Sequence, residues 1–282
     1  MLSDTPTWLI TGCSTGLGRA LARYVLQQGH RAVVTARDTG TLEEIVAGHE
    51  DRALVAALDV TDPASVADAA RRAEDFGGVD VLVNNAGYGY VCAVEEGEDA
   101  QIRALFETNF FGMLAMTRAV LPAMRERGRG HVVNVSSIGG LTTYPAVGYY
   151  HATKFALEGL SEALGKEIAP FGLGVTIVEP GAFRTDFRGR SMRQSATRIP
   201  AYAATAGAAR DAVLAADGQQ ENDPVRGAAA IVEAVTSQQP PTRLLLGNDA
   251  LTQARAKLQA MGEEFTAWEK LTTSTRYAEP AN

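Results

Sequence analysis

Tyr150 and Lys154 stand four residues apart in the segment Tyr150-His151-Ala152-Thr153-Lys154. On a helix this spacing places both side chains on one face. A phenol beside an ammonium group suits proton transfer, because a neighbouring positive charge favours the phenolate and lowers its pKa. The spacing alone is a weak indication, since roughly one such chain in nine contains it by chance. Tyr149 is excluded from the same pairing because residue 153 is Thr.

The position of this pair in the chain strengthens the interpretation. Ser136 and Ser137 follow a predicted strand and precede Tyr150 by a short segment. Ligands of doubly wound α/β folds bind at the carboxyl ends of the strands. A hydroxyl at that edge can hydrogen-bond a substrate oxygen and hold it in line for proton transfer. Ser137, Tyr150 and Lys154 are therefore the candidate catalytic residues.

A glycine-rich turn supplies a second kind of chemistry. The segment Thr11-Gly12-Cys13-Ser14-Thr15-Gly16-Leu17-Gly18 follows the first predicted strand and opens the first predicted helix. Glycines allow the backbone to approach a pyrophosphate closely, and a helix N-terminus adds oriented N–H groups. The spacing differs from the common G-x-G-x-x-G dinucleotide pattern. A dinucleotide phosphate site is indicated, and a tight turn without a ligand is the alternative.

The elements that must position these residues alternate along the chain. Continuous apolar runs bounded by Gly and Asp are typical of strands buried on both faces of a parallel sheet. Six such runs, separated by stretches of helical period, are Trp8–Thr11, Ala32–Thr35, Ala53–Leu58, Val79–Val83, His131–Val135 and Val175–Val178. Parallel neighbours require helical crossovers. The pattern predicts an α/β fold with a doubly wound parallel sheet, a Rossmann fold of three αβα layers.

Local signals also mark two helix starts. Thr41 and Glu44 have the spacing of a capping box, which predicts a helix that begins after Thr41. In Thr61-Asp62-Pro63 the proline suits the first turn of a helix, because its missing N–H would be unpaired there anyway.

The pattern weakens beyond Phe187. Residues 188–222 are rich in Ala, Arg, Gln and Gly and give little strand or helix signal. A helical run at Pro224–Ser237, a strand at Arg243–Leu246 and an amphipathic stretch around Leu251–Leu271 follow. A long, weakly structured insertion in a compact domain is more often a functional lid than a linker. We predict one Rossmann-type domain over 1–282, with an embedded substrate-binding lid and helix at 188–240.

Composition limits the kind of protein further. The chain has 282 residues, 46% of them hydrophobic and 21% charged, which excludes disordered, collagen-like and disulfide-knot proteins. A net charge of −7 without a basic block argues against nucleic acid as a partner. Only Cys13 and Cys92 are cysteines, which suits a reducing compartment, and the histidines show no metal-ligand spacing. We expect no metal site.

Membrane signals are weak as well. No apolar run approaches the roughly 18 residues of a membrane-spanning helix, and the N-terminus lacks the pattern of a signal peptide. We expect a soluble, cytoplasmic protein without a membrane partner.

The motifs together resemble a known family. The spacing T-G-x-x-x-G-x-G is that of the short-chain dehydrogenase/reductase family. Asn84-Asn85-Ala86-Gly87 resembles its second signature, Asp59-Val60 its adenine-contacting pair, and the segment 180–185 its nicotinamide-side P-G-x-x-x-T. The resemblance covers residues 7 to about 187, and Lys154–Leu160 is similar to the hydroxysteroid and retinol dehydrogenase branch. It implies cofactor contacts by Gly12, Ser14, Thr15, Gly16, Leu17, Gly18, Asp59, Val60, Asn85, Ala86, Gly87, Tyr150, Lys154, Pro180, Gly181, Phe183 and Thr185.

The resemblance also implies a Ser–Tyr–Lys mechanism, with Ser137 lying 13 residues before Tyr150. Hydride transfer to a ketone builds an alkoxide, which needs a proton donor such as Tyr150. Lowering a phenol pKa from about 10 to near 7 requires about 4 kcal/mol. Lys154 and the positive charge of an oxidised nicotinamide are the expected sources. Asn109 matches the family's fourth catalytic residue, which supports a water relay to the lysine, and without the family pattern it is a packing or helix-kink residue.

Arg37 bears on the choice between the two nicotinamide cofactors. In this fold an acid holds the ribose 2′-OH of NAD, whereas an arginine accommodates the 2′-phosphate of NADP. The second predicted strand ends in Thr35-Ala36-Arg37-Asp38, with Ala36 where NAD-preferring relatives carry the acid. Arg37 therefore predicts a preference for NADP(H). A solvated Arg37, with Asp38 tolerating NAD, is the alternative.

The substrate side is rich in aromatic residues. An aromatic-lined pocket suits a bulky, apolar carbonyl compound, and the candidate lining residues are Tyr88, Tyr90, Tyr144, Tyr149, Phe183 and Phe187. A basic cluster could hold an anionic group or simply be solvated, and it comprises Arg184, Arg188, Arg190, Arg193 and Arg198.

These observations predict an NADP(H)-dependent oxidoreductase that acts on a small-molecule carbonyl or secondary-alcohol substrate. A nucleotide-sensing binding protein without turnover and a dehydratase or epimerase using the same site are the alternatives. The resemblance implies a homodimer or homotetramer that pairs helices near 100–126 and 150–169. Apolar positions that could serve this pairing, or could simply face the core, are Phe106, Phe110, Leu114, Leu157 and Leu164.

Overall fold

The computed structural model describes residues 2–277, so residue 1 and residues 278–282 of the predicted domain lie outside the described range. Its strands are β1 Thr7–Ile10, β2 Arg31–Ala36, β3 Ala53–Ala57, β4 Val81–Asn84, β5 Gly89–Val91, β6 Gly130–Val135, β7 Leu173–Pro180, β8 Met192–Gln194 and β9 Arg243–Leu246. Its α-helices are α1 Gly16–Gln27, α2 Glu43–Val46, α3 Pro63–Asp75, α4 Asp99–Phe106, α5 Met113–Arg127, α6 Gly148–Ile168, α7 Ala208–Ala215, α8 Pro224–Thr236 and α9 Asn248–Thr273.

The central sheet has seven parallel strands in the order β3-β2-β1-β4-β6-β7-β9. In the middle of the sheet, Leu9 of β1 pairs with Val33 of β2 on one side and with Leu82 of β4 on the other. The chain changes direction across the sheet between β1 and β4, and such switch points open a crevice at the carboxyl ends of the strands. The predicted doubly wound fold is confirmed, and the six predicted strands agree with the observed bounds to within two residues.

Helices cover both faces of the sheet. Successive side chains of a strand point to opposite faces. Trp8 and Ile10 accordingly pack with α1, α2 and α8, whereas Leu9 packs with α3, α5 and α6. Burial on both faces explains why the strand sequences are continuously apolar rather than alternating.

Helices begin near both predicted starts, at Glu43 and Pro63, but only one of the two predicted caps is correct. Asp62 accepts a hydrogen bond from the backbone N–H of Ala64 and caps α3, which begins at Pro63. The capping box at Thr41 is wrong: the Asp38 side chain caps a 3₁₀ turn over Thr39–Leu42. The Thr41 hydroxyl instead donates to the Asp38 carbonyl oxygen. The short side chain of Asp38, two residues beyond the end of β2, reaches the free N–H group of Gly40 first.

The segment 188–222 has more regular structure than its composition predicted. β8 pairs in parallel with β5 in a separate two-stranded sheet, and α7 follows a 3₁₀ turn and a π-helical turn. The expectation of little regular structure was wrong because β8 has only three residues, too few to show a period. The predicted helix at 224–237, strand at 243–246 and helix around 251–271 correspond to α8, β9 and α9. Among residues 2–277, no helix combines the length and hydrophobicity needed to cross a membrane.

Candidate active site

The glycine turn lies between β1 and α1 and is interlocked with the segment after β4. Gly12 and Gly16 have φ values of 72° and 61°, a backbone region that side chains with a Cβ rarely adopt. The Asn85 side-chain amide donates to the carbonyl oxygens of Thr11 and Gly12 at 2.8 and 3.0 Å. A Cβ on Gly18 would lie 2.3 Å from that same amide nitrogen, so a larger residue would break the contact.

A cavity of about 1420 Å³ opens at the carboxyl edge of the sheet. All the predicted cofactor-binding residues line it except Gly18, which packs behind the turn. Ser137, Tyr150 and Lys154 line it as well. In the described chain the Thr15 side chain makes no capping hydrogen bond, so the first N–H groups of α1 remain available to a phosphate. The fold thus brings the predicted phosphate and proton-transfer groups into one cavity.

Tyr150 lies on the first turn of α6, and its ring centroid is 5.8 Å from that of Phe187. Burial raises the pKa of Tyr150 to about 12, although a hydrogen bond with Ser137 lowers it in part. The pKa near 7 expected from the sequence includes the positive charge of an oxidised nicotinamide. In the chain alone, desolvation of the phenolate is the largest effect and raises the pKa instead. The chain's own groups hold Tyr150 in its protonated form at neutral pH.

Lys154 is buried one helical turn beyond Tyr150. Its Nζ donates to the carbonyl oxygen of Val135, at the end of β6, over 2.7 Å, and it lies 5.7 Å from the Tyr150 ring centroid. Burial lowers the pKa of Lys154 to about 8, and the nearby carboxylate of Glu158 opposes that shift. The ammonium is therefore held close to the phenol by the backbone of a neighbouring strand.

His151 ties the serine loop to the helix that carries Tyr150. Its Nδ1 lies 2.8 Å from the Gly139 carbonyl oxygen, and its Nε2 accepts from the Tyr144 backbone N–H at 3.1 Å. The Ser137 hydroxyl in turn accepts from the Gly139 N–H. In the sequence, the only indication for His151 was its position between Tyr150 and Lys154, and that position did not predict a contact with the serine loop.

Asn109 does not line the cavity. It is buried in a π-helical turn, Glu107–Gly112, that joins α4 to α5. Its side chain accepts from the Tyr88 N–H and donates to the Tyr88 carbonyl oxygen and the Thr153 hydroxyl. These three bonds fix the segment after β4 against α6. This contact is close to the alternative interpretation of Asn109 as a packing or helix-kink residue. Its catalytic role stays a prediction.

Arg37 lies at the other end of the cavity, next to Asp59. The N–H and hydroxyl of Thr61 hold the pKa of Asp59 below its usual value, and the charge of Arg37 lowers it further. Ala36 and Arg37 line the cavity. The Asp38 carboxylate instead accepts from the Gly40 N–H.

Asp249 and Asn222 hold the segment 180–185, and the sequence analysis did not select either of them. The Asp249 carboxylate accepts from the Ala182 N–H at 2.7 Å and from the Asn222 amide at 2.9 Å. The same amide donates to the Ala182 carbonyl oxygen. A Cβ on Gly181 would lie 2.2 Å from this carboxylate, so a larger residue there would displace it from these hydrogen bonds. The signal was available, since Asp249 follows the carboxyl end of a predicted strand.

Four of the six predicted aromatic residues line the cavity, namely Tyr88, Tyr144, Phe183 and Phe187. Tyr90 is buried in a small separate cluster, and the Tyr149 hydroxyl donates to the Val94 carbonyl oxygen instead. Those two predictions were wrong because the pleat of β5 and the turn of α6 direct the side chains elsewhere. Of the predicted basic cluster, Arg188, Arg190 and Arg193 line the cavity, whereas Arg184 Nε donates to the Gln220 carbonyl oxygen.

A buried ion cluster lies behind Lys154. Arg243 of β9 donates to Glu158 of α6 and to Glu179 of β7, and both carboxylates are at least 94% buried. Burial and the neighbouring Glu158 raise the pKa of Glu179 to about 7, which Arg243 opposes. Buried carboxylates are stable only when they are paired, so Arg243 joins the last strand to the helix that carries Tyr150. The sequence contained no signal for these partners, which are 85 and 64 residues apart.

Known proteins resemble this chain over most of its length. The sequence profile of the short chain dehydrogenase family matches residues 6–196. An oxidoreductase of Botryotinia fuckeliana (strain B05.10) is 36% identical over 96% of this chain and 99% of its own length. Retinol dehydrogenase 8 of Homo sapiens is 38% identical over 86% of this chain and 82% of its own length.

Solved structures agree with these sequence matches. The crystal structure of a short-chain dehydrogenase from Streptomyces avermitilis superimposes with a TM-score of 0.91 at 44% identity, covering 97% of this chain and 100% of that one. The predicted resemblance is confirmed, including its relation to retinol dehydrogenases. The chain belongs to the short-chain dehydrogenase family, and it is an NAD(P)-dependent oxidoreductase.

Proposed function

We propose that this protein interconverts a bulky, apolar carbonyl compound and the corresponding secondary alcohol, with NADP(H) as its preferred cofactor. One observation carries the proposal: a single cavity holds the glycine turn and Arg37 at one end and Ser137, Tyr150 and Lys154 at the other. This arrangement suits a dinucleotide whose reactive ring reaches the proton donor.

Each residue has a defined task in the proposed reaction. NADP(H) supplies the hydride donor or acceptor at C4 of its nicotinamide. Ser137 hydrogen-bonds the substrate oxygen and aligns it. Tyr150 gives its hydroxyl proton to that oxygen during reduction and takes it back during oxidation. Lys154 places a positive charge beside the phenolate that forms.

The raised pKa of Tyr150 affects the pH at which reduction and oxidation each proceed. A phenol with its pKa raised to about 12 stays protonated at neutral pH, the form that reduction requires. Oxidation requires the phenolate, so it gains from higher pH.

The preference for NADP(H) is supported by three neighbouring residues. Ala36, at the position of the acid that holds a ribose hydroxyl in NAD-preferring relatives, lines the cavity beside Arg37. Asp38, the acid that could have served NAD, is engaged by the Gly40 N–H. A guanidinium pairs well with a phosphate because it presents several donors in one plane.

A titration of cofactor binding tests this preference. We expect NADPH to bind at least about tenfold more tightly than NADH, a difference of about 1.4 kcal/mol, and Arg37→Ala to abolish the difference. Arg71→Ala is the matched control, because Arg71 pairs with Asp68 and Asp75 on the exposed face of α3. Equal binding of both cofactors by the wild type would refute the role of Arg37. No binding of either would refute the whole proposal.

The two hydrogen bonds that the Asp249 carboxylate accepts give a second prediction. Asp249→Ala removes the acceptor for two hydrogen bonds that hold the segment 180–185. Bonds to a charged group contribute about 1.5–3 kcal/mol, so we expect affinity for the cofactor to fall by about tenfold or more. Asp211→Ala is the control, since that side chain is 77% exposed on α7. Unchanged affinity in a folded Asp249→Ala variant would show that cofactor binding does not need these hydrogen bonds.

The cavity lining supports the apolar substrate class. Tyr144, Phe183, Phe187 and Met192 contribute aromatic and thioether surface to the cavity, and Phe187 packs against Tyr150. Segment 188–240 is proposed as the lid over this region, because β8 and α7 both contribute residues to the cavity lining or its rim. Closure of such a lid would exclude water from the reacting atoms. A screen of ketones and alcohols with product analysis tests the substrate class and separates it from dehydration or epimerisation.

Self-association through α5 and α6 is also proposed. The apolar stripe named in the sequence analysis partly faces the core, since Leu157 is only 1% exposed and Phe110 and Leu164 pack against the same cluster. Phe111 and Phe155 are exposed instead, at 47% and 43%. Phe111 lies in the π-helical turn just before α5 and Phe155 lies in α6. We propose that these two side chains pair this region with a second copy, in a homodimer or homotetramer.

A further inference from the structure

Helix α9 extends well beyond the body of the protein. With 26 residues and a rise of 1.5 Å per residue, it is roughly 39 Å long. Its buried residues are Ala250 and Ala254, which pack with Ile138 in the first two turns. From Leu258 onward, nearly every residue of the helix is exposed. We call residues 258–273 the α9 arm.

The arm carries large apolar side chains in exposed positions. Leu258, Phe265, Trp268 and Leu271 are between 59% and 68% exposed. Leu258, Met261, Phe265 and Trp268 follow the alternating spacing of three and four residues that places side chains on one helix face. Ala250 and Ala254, at intervals of four before Leu258, lie on the same face. The face that packs on the body therefore continues along the arm without a partner among the described residues.

Such a stripe is characteristic of an interface rather than a solvated surface. Contiguous apolar patches on a monomer mark sites of association, and aromatic residues are enriched in the cores of interfaces. A heptad-like series of apolar residues is the surface that a second helix covers.

The charges along α9 indicate what covers it. Arg255 and Lys257 lie at the base, with no acidic residue between positions 250 and 262. The arm beyond carries Glu263, Glu264 and Glu269 against a single Lys270. An antiparallel pair of α9 helices places the basic base of each copy opposite the acidic arm of the other. A parallel pair would oppose like charges.

The same charges argue against a lipid surface. Helices that bind membranes carry Lys and Arg on the polar face, because cellular bilayers are anionic. Here the residues flanking the exposed stripe are mainly glutamates, which an anionic surface would repel.

We propose that α9 of one copy pairs antiparallel with α9 of a second copy, and that this pairing buries the stripe of Leu258, Met261, Phe265 and Trp268. This interface is separate from the proposed α5/α6 pairing. It would also steady the base of α9, where Asp249 holds the segment 180–185 and Gln253 lines the cavity.

The mass of the full-length protein in solution, from light scattering or sedimentation, tests the proposal. We expect Phe265→Ser/Trp268→Ser to lose one association step and to show half the mass of the wild type at the same concentration. The matched control is Phe111→Ser/Phe155→Ser, which instead removes two exposed aromatic residues from the π-helical turn before α5 and from α6. This control should still associate through α9. The arm variant should keep its fold and its cofactor affinity, because the substituted side chains are exposed and lie outside the cavity.

A charge-reversal experiment tests the orientation. Arg255→Glu/Lys257→Glu and Glu264→Lys/Glu269→Lys should each weaken self-association by about tenfold at low salt, and an equimolar mixture should restore it. Weakening by each variant alone requires the antiparallel arrangement, because in a parallel pair each reversal only exchanges one set of opposed like charges for another. Restoration by mixing shows that both variants keep their fold. An arm variant with the same mass as the wild type over a hundredfold range of concentration would overturn the proposal. So would a monomeric wild type whose arm binds phosphatidylglycerol vesicles. Neither result would affect the proposed reaction, which is measured by cofactor titration and turnover.

Discussion

Tyr150→Phe is expected to lower kcat by about 10²- to 10⁴-fold, the range that a positioned general acid or base contributes. The variant loses only the hydroxyl, so the ring keeps its contact with Phe187. No other phenol can replace it on α6, because the Tyr149 hydroxyl is bonded to the Val94 carbonyl oxygen. Steady-state turnover of a reactive ketone with NADPH measures the loss, and titration with NADPH measures binding separately.

Tyr149→Phe is the matched control for this prediction. It removes the same atom from the adjacent residue of the same helix, and turnover should stay within about threefold of the wild type because that hydroxyl lies outside the cavity lining. Comparable turnover in Tyr150→Phe and Tyr149→Phe would exclude Tyr150 as the acid/base residue. Loss of cofactor binding in Tyr150→Phe would point to a structural effect instead.

Lys154→Met is expected to lower kcat/KM by about 10²- to 10³-fold, as removal of one preorganised electrostatic group does. Methionine has a similar length and suits a buried site, so the fold should persist. The loss should appear in kcat through the missing charge beside Tyr150, and in the KM for the cofactor through the lost ammonium in the cavity. Lys166→Met, on the exposed side of the same helix, is the control.

The stability of the same variant gives a readout that is independent of turnover. Burial lowers the pKa of Lys154 from 10.5 to about 8. The folded protein therefore binds fewer protons than the unfolded chain between these values, and its stability should rise from pH 8 to 10.5 by up to about 3 kcal/mol. This rise should vanish in Lys154→Met and remain in Lys166→Met. A pH profile shared by the wild type and Lys154→Met would show that Lys154 is not buried as a charge.

Local sequence patterns were sufficient to predict the sheet and the phosphate turn. Continuous apolar runs identified six strands because a parallel strand buries both faces. Gly12 and Gly16 were recognisable because their φ values exclude most other residues. Both features depend on a few consecutive residues, so they are present in the sequence itself.

The pKa values of the site residues could not be predicted from local patterns in the same way. The pKa near 7 expected for Tyr150 relied on Lys154 and on the positive charge of an oxidised nicotinamide, whereas burial raises the pKa to about 12 in the chain alone. Desolvation depends on every element packed around a group, and no motif of five residues contains that information. Thr41 was wrongly predicted as a helix cap for a different reason: the Asp38 side chain caps a 3₁₀ turn over Thr39–Leu42 that precedes α2.

The sequence by itself determined the fold class, the family and the residues that can move a proton or hold a phosphate, because those depend on residue type and short spacing. Only the tertiary structure decided how these residues are held. Asp249 meets Ala182 across 67 positions, and Arg243 meets Glu158 across 85. These contacts arise where β7 and β9 become neighbours in the sheet. Pairing of distant strands brings such partners together without leaving a local pattern in the sequence. The exposed apolar face of α9 was likewise recognised only in the structure, because exposure depends on what packs against the helix.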